Sequence, residues 1–328
     1  MSAMDIFRDC LDYGLLTANL YVLIRIRISK EETFRTLFFY WFFLTGMTSS
    51  LSVVGFIIGT RQTHPASRDY GFKIGYMINS FGTTFAIIGK AYILLHRYSV
   101  MKSTSFVENI ISDLAPYSEE LHELLFVLGA KERIWSRKVS YILTAITFLL
   151  SIAAPAPVIW CCLTYQIKNG ESVVLYMDYT CTLTQKIRSS AVYFLYVIIS
   201  IVLTVLTSRE FMKLSGMVEG STKKAIMHTQ RNMFIIVSIC TVTQMLKAIN
   251  QFCWVFVAIF DLKEFNIFLN NTYDVAHYLA TYSATVSLII FNKKARRLMY
   301  STNLRAPLPS DSSAVLPVVP THHSGQKA

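Results

Sequence analysis

Charge is scarce in this chain. Only 16% of its 328 residues are Asp, Glu, Lys or Arg, against about 25% in soluble domains. Apolar residues make up 53%, and the mean hydropathy is +0.43. That balance excludes an ordinary soluble domain and places the chain with multi-span membrane proteins. Enzyme signatures are missing as well: there is no Gly-rich phosphate loop, no HExxH and no GxSxG elbow. The six cysteines, at 10, 161, 162, 181, 240 and 253, show no CxxC and no Cys/His metal spacing. The histidines are scattered, and His322-His323 is too short a tract for a metal. No internal repeat is visible. The start, MSAMDIFRDCLDYG, sets acids and an Arg ahead of the first apolar run, unlike a cleavable signal peptide. These absences point to a protein with no enzymatic activity, cofactor or metal.

Positive charge is the one sign in excess, at a net +11. The basic residues are not pooled on a polar domain, which argues against nucleic acid. They punctuate the ends of hydrophobic runs, where they act as topology signals. Seven such runs are long enough to read as spans, at about 11–28, 37–60, 74–101, 139–165, 189–208, 232–260 and 272–291. The first is short, with Arg25 and Arg27 at its end placed to snorkel to the interface. Pro155 and Pro157 should kink or end the fourth. With the N-terminus outside, 21 Lys and Arg fall in cytoplasmic segments and 8 in outer ones. The expected fold is therefore an all-α membrane protein: a seven-transmembrane helix bundle over residues 1–300, N-terminus outside and C-terminus cytoplasmic. A disordered cytoplasmic tail is expected over 301–328. In the long loop at 102–138, Leu121, Leu124, Leu125 and Leu128 repeat at helical spacing, which reads as a surface helix or a partner contact.

Three spans carry polar stripes. On the third, Asn79, Thr83, Ala86, Lys90 and Arg97 share one face, and Lys90 and Arg97 lie about 10 Å apart along the axis. On the sixth, Cys240, Gln244, Lys247, Gln251 and Trp254 follow at steps of three and four. On the seventh, Asp274, Tyr278, Thr281 and Thr285 do the same. Polar groups at these depths need partners or water, so the stripes should face a shared, partly hydrated cavity. Asn79, Thr83, Lys90, Gln244, Lys247, Gln251, Trp254, Asp274 and Tyr278 are the candidate ligand-pocket residues. A Lys247–Asp274 pair is one way to satisfy both. The run from Phe38 to Phe43 reads as interface anchoring and packing. Asn270-Asn271-Thr272 is a glycosylation sequon on the outer side, with Asn270 as the acceptor.

The third span ends in His96-Arg97-Tyr98. Seven spans, an outer N-terminus and that Arg-Tyr pair resemble the G-protein-coupled receptors. The resemblance implies that Arg97, with His96 and Tyr98 beside it, faces a heterotrimeric G protein. His96 stands where the rhodopsin-like pattern has an acid, and the seventh span ends SLIIFN rather than NPxxY. No Cys begins the third span, so Cys181 lacks the partner usual in that superfamily. LLHRYSV, HTQRNMFIIVSICTVTQMLKAI and LIIFNKKARR are similar to the nematode serpentine chemoreceptors, the class-gamma group nearest, over roughly residues 10–300. The resemblance implies a plasma-membrane receptor, of a sensory neuron, with a small-molecule ligand in an outer-facing cavity. A multi-pass transporter or channel is the alternative, and it predicts repeats and a path open to both sides. A membrane-embedded enzyme would have only Asp274 and His277 to work with.

Overall fold

Lipid offers a backbone no hydrogen-bond partners, so a chain crossing it closes its own as helix. The computed structural model describes residues 3–60, 68–114, 137–156, 163–168, 171–176, 179–216, 221–260 and 262–300. Seven long helices run through them: α1 (Ala3–Ile28), α2 (Leu37–Thr60), α3 (Arg68–Leu114), α4 (Arg137–Ala153), α5 (Tyr179–Gly216), α6 (Ser221–Phe260) and α7 (Lys263–Phe291). A short α8 (Lys293–Tyr300) follows. Four of them, α2, α3, α5 and α6, contain stretches long and apolar enough to cross a membrane by length and composition. Six of the seven predicted spans lie each within one helix, and α1, α3, α5, α6 and α7 run past the predicted limits.

The fourth span falls short of its drawn limit and ends at its prolines, as their chemistry predicts. Its helix stops at Ala153, not at 165, and a strand begins at Leu163. Pro155 follows within two residues, and a proline ring can neither donate to a helix nor leave its predecessor helical. The 17 residues of α4 cover about 25 Å. Two antiparallel strands, β1 (Leu163–Lys168) and β2 (Glu171–Tyr176), then form a hairpin in register Leu163↔Tyr176 through Lys168↔Glu171. The fold is thus nearly but not wholly helical. The dipeptide between the strands is Asn169-Gly170, the strongest short-range hairpin signal. The leucine-repeat helix expected in the 102–138 loop and the tail at 301–328 lie outside the described residues, although α3 itself continues to Leu114.

The helices close a ring. α1 packs on α2, α2 on α3, α3 on α5, α5 on α6, α6 on α7, and α7 returns to α1 and α2, while α4 leans on α3 from outside. The tightest seam joins α2 to α3. A Cβ on Gly55 would strike the Gly75 carbonyl and the Asn79 amide, and one on Gly82 would strike the backbone of Thr48 and Ser52. Only glycine allows two helix backbones that close. The core at the Arg97 end joins Leu23 and Ile26 of α1, Phe38 and Trp41 of α2, Leu94 of α3, Ile236 of α6 and Leu288 of α7. The aromatic run of α2 is core: Phe38, Phe39, Trp41 and Phe42 are at most 3% exposed. Outward faces are apolar instead, with Leu149 of α4 and Leu195 of α5 exposed, as a lipid-facing surface requires.

α8 turns back across the foot of α1. Asn292 Oδ1 accepts from the Ala295 amide at 3.0 Å and starts the helix. Ala295 and Leu298 are buried beneath it. Arg25 does more than reach the interface: its guanidinium donates to the Leu298 carbonyl, while Lys294 pairs with Glu31 at 2.7 Å.

Candidate functional site

Helical spacing puts Lys90, Gln244 and Ala280 at one level of the bundle, on α3, α6 and α7. Lys90 Nζ donates to the Ala280 carbonyl at 2.7 Å, and Gln244 Nε2 donates to the same oxygen at 2.8 Å. One turn further along α6 and α7, Lys247 Nζ and His277 Nδ1 are 2.7 Å apart, both residues buried. Lys247 therefore takes His277, not Asp274, as its partner. Asp274 is three residues away on α7, but His277 faces the α6 seam squarely enough to be only 1% exposed, whereas Asp274 is only partly buried. Aromatic rings enclose the pair. Lys247 Nζ lies 5.4 Å from the Tyr193 ring of α5 and 5.9 Å from the Tyr273 ring, and His277 stacks on Tyr273 at 5.8 Å and tilts against Phe56 at 5.9 Å.

The other candidates divide. Asn79 and Thr83 face α2 rather than this cluster: Ser52 Oγ donates to Asn79 Oδ1 at 2.6 Å and lies 2.8 Å from Thr83 Oγ1. They are a polar clasp on the glycine seam. Gln251 accepts Ser190 Oγ on its carbonyl at 2.8 Å, joining α5 to α6. Trp254 carries Lys186 Nζ over its ring at 4.2 Å. Tyr278 lies beside His277, with ring centroids 6.1 Å apart. The Asn270 sequon falls two turns inside α7, and its Thr272 hydroxyl donates to the Phe268 carbonyl at 3.1 Å while accepting from Asn250 Nδ2 at 3.2 Å.

Several residues of the cluster are not evident from the sequence stripes alone. His277 continues the α7 stripe at three and four residues from Asp274 and Thr281, so its spacing is a usable signal. Tyr193 and Lys186 sit on α5, which carries no clear polar stripe. A second polar knot lies outside the expected cavity: Asn19 of α1 donates to Ser50 Oγ of α2 at 2.7 Å and accepts from Thr285 Oγ1 of α7 at 2.5 Å.

The opposite end of the bundle holds a crevice. It has an empty volume of about 310 Å³, counting its open mouth, and is lined by Leu94, Arg97 and Met101 of α3, Thr204 and Thr207 of α5, and Phe234 and Val237 of α6. Arg97 stacks over the Phe38 ring with its guanidinium carbon 4.0 Å from the centroid. Of its two neighbours, His96 is buried at 3% exposure and Tyr98 is partly exposed, with Lys102 Nζ 5.9 Å from its ring. Cys181 is disulfide-bonded although α3 supplies no cysteine. Cys10, Cys240 and Cys253 are free, and no group of His, Cys, Asp or Glu among the described residues has metal-binding geometry.

The architecture is similar to that of squid rhodopsin. Its crystal structure superposes with a TM-score of 0.60 at 13% identity, covering 90% of this chain and 83% of that one. That likeness establishes the rhodopsin-like fold. No curated protein matches the sequence. The model of the family described as Srg family chemoreceptor matches residues 124–299, more than half of the chain, from the middle of the molecule through α8. The chain is a membrane receptor and belongs to the Srg family of chemoreceptors.

Proposed function

We propose that this chemoreceptor lies in the plasma membrane of a sensory neuron with its N-terminus outside. It binds a small-molecule cue among α3, α5, α6 and α7, near Lys90, Gln244, Lys247 and Tyr278, and it activates a heterotrimeric G protein at the Arg97 end. The observation that carries this reading is the reach of α6. One unbroken helix places Gln244 and Lys247 in the buried cluster and Phe234 and Val237 on the crevice beside Arg97. Val237 and Lys247 are ten residues apart, about 15 Å along the axis. A cue that favours one tilt of α6 therefore changes the width of the crevice. It does so only by as much as its affinity differs between the two tilts. Arg97, held over Phe38, is the cation that a widened crevice presents to its partner.

The test is expression of the full chain in reporter cells challenged with volatile and water-soluble cues, with Arg97→Ala alongside. Cue-dependent signal that is lost in the variant at equal surface level is expected. Signal unchanged in the variant removes Arg97 from the mechanism. End-tagged chains check the orientation: an N-terminal epitope is reachable on intact cells and a C-terminal one only after permeabilisation. Both ends in one compartment would end the receptor reading.

A further inference from the structure

α6 is fastened unevenly to α7. Four of its side chains, Thr243, Gln244, Lys247 and Asn250, hydrogen-bond across that seam at 2.7 to 3.2 Å. On the crevice side of Cys240, among the described residues, one side-chain bond ties α6 to another helix: Asn232 Nδ2 donates to the Phe291 carbonyl of α7 at 3.0 Å. The break between α7 and α8 presents that oxygen. The last carbonyls of a helix have no donor from their own helix, and the Ala295 amide, which would serve Phe291 if the helix ran on, is taken by Asn292 Oδ1. The sequence supplies both halves of the contact, Asn232 near the crevice end of α6 and Asn292 just past the end of α7.

We propose that Asn232 is the positioning residue that holds the crevice beside Arg97 narrow at rest; this rests on the receptor reading above. Thr243 and Asn232 are eleven residues apart, about 16 Å along the axis. That part of α6 is a lever, fastened at one end and pinned near the other. Val237, which lines the crevice, lies between them. Swinging the lever away from α3 widens the crevice and withdraws Asn232 from the Phe291 carbonyl. The neighbour on the other side is α5, where the Phe211 ring lies within 7° of parallel to the Phe234 ring at 6.2 Å. Stacked rings slide past one another and keep their contact. A withdrawn amide leaves a donor and a carbonyl unpaired in a part-buried place. The hydrogen bond, not the stack, therefore sets the threshold for opening. His228 Nδ1 lies 3.4 Å from the same amide, but it belongs to α6, moves with it and resists no swing. An interhelical bond of this kind biases a two-state equilibrium by about two- to tenfold.

The experiment reads opening directly, in the full chain in nanodiscs, as the rate at which Val237→Cys reacts with a charged thiol reagent above the rate of the chain without that cysteine. Adding Asn232→Leu should speed the reaction by about two- to tenfold, and Asn232→Ala, which adds no bulk, should do the same. His228→Ala should leave the rate as it was. In reporter cells Asn232→Leu should raise cue-independent signal by a like factor at equal surface level, whereas a merely structural loss would lower both signal and surface level. An unchanged or slower rate in both Asn232 variants overturns the proposal, and so does an equal acceleration in His228→Ala. The two readings fail separately. An unchanged rate beside a cue signal that depends on Arg97 removes the latch and leaves the receptor; a faster rate with no signal to any cue keeps the latch and removes the receptor.

Discussion

Lys90 of α3 and Gln244 of α6 grip one oxygen, the Ala280 carbonyl of α7, from 2.7 and 2.8 Å. Three helices are pinned at a single atom by two donors. Moving α6 releases Gln244 but leaves Lys90 holding α7 to α3, so the pin gives way on one side only.

That shared acceptor predicts non-additive substitutions. With Gln244→Leu or Lys90→Met alone, the carbonyl keeps the other donor. With both, it loses both. The double variant should lose more stability than the two singles together, by about 0.5–1 kcal/mol, in thermal unfolding of the purified chain. Strict additivity would show two independent anchors.

The α2–α3 seam predicts a sharp contrast between glycines. Gly82→Ala drives a methyl into the Thr48 and Ser52 backbone, which neither helix can yield without separating. It should cost about 3 kcal/mol and cut surface expression. Gly14→Ala meets nothing within 4 Å on α1 and should gain about 0.5–1 kcal/mol of helix propensity. Surface-expression and unfolding measurements on the two variants check both signs.

Two of the contacts that hold α8 should differ in weight. The Lys294 side chain is 53% exposed in its pair with Glu31, and an exposed pair is worth less than about 1 kcal/mol. The Arg25 guanidinium instead meets the Leu298 carbonyl from a part-buried position, a charged bond worth about 1.5–3 kcal/mol. Hydrogen exchange of the α8 amides should therefore quicken by about tenfold or more in Arg25→Ala and barely change in Glu31→Gln.

Phe38 under Arg97 predicts a change in resting signal. The 4.0 Å stacking is worth about 0.5–2 kcal/mol and holds the guanidinium against α2. Phe38→Leu keeps an apolar side chain in the core but removes the ring face. Cue-independent reporter activity should rise about two- to fivefold at equal surface level. An unchanged baseline would mean that the ring packs without restraining Arg97.

The seven helices are legible in the chain because the solvent dictates them: runs of apolar residues near the length of a bilayer leave the backbone no other choice. The stop at Pro155 comes from proline chemistry, and the stripes of Lys90, Gln244 and Lys247 come from a period of 3.6. The hairpin at 163–176 is signalled by Asn169-Gly170, but the apolar run that precedes it masks the signal by extending the expected fourth span. The Gly55–Gly75 and Gly82 contacts are hidden, because glycine in a membrane helix does not say which neighbour it admits.

Local periodicity and hydropathy alone set which segments cross, roughly where each ends, and which faces turn inward. The choice of partners belongs to the packed bundle. A lysine side chain sweeps several ångströms, and Asp274 and His277 both stand within one turn of α7, so the rotation of α7 against α6 chose His277 for Lys247. The same packing turned Asn79 and Thr83 to Ser52 and left His277 Nε2 with no hydrogen-bond partner among the described residues.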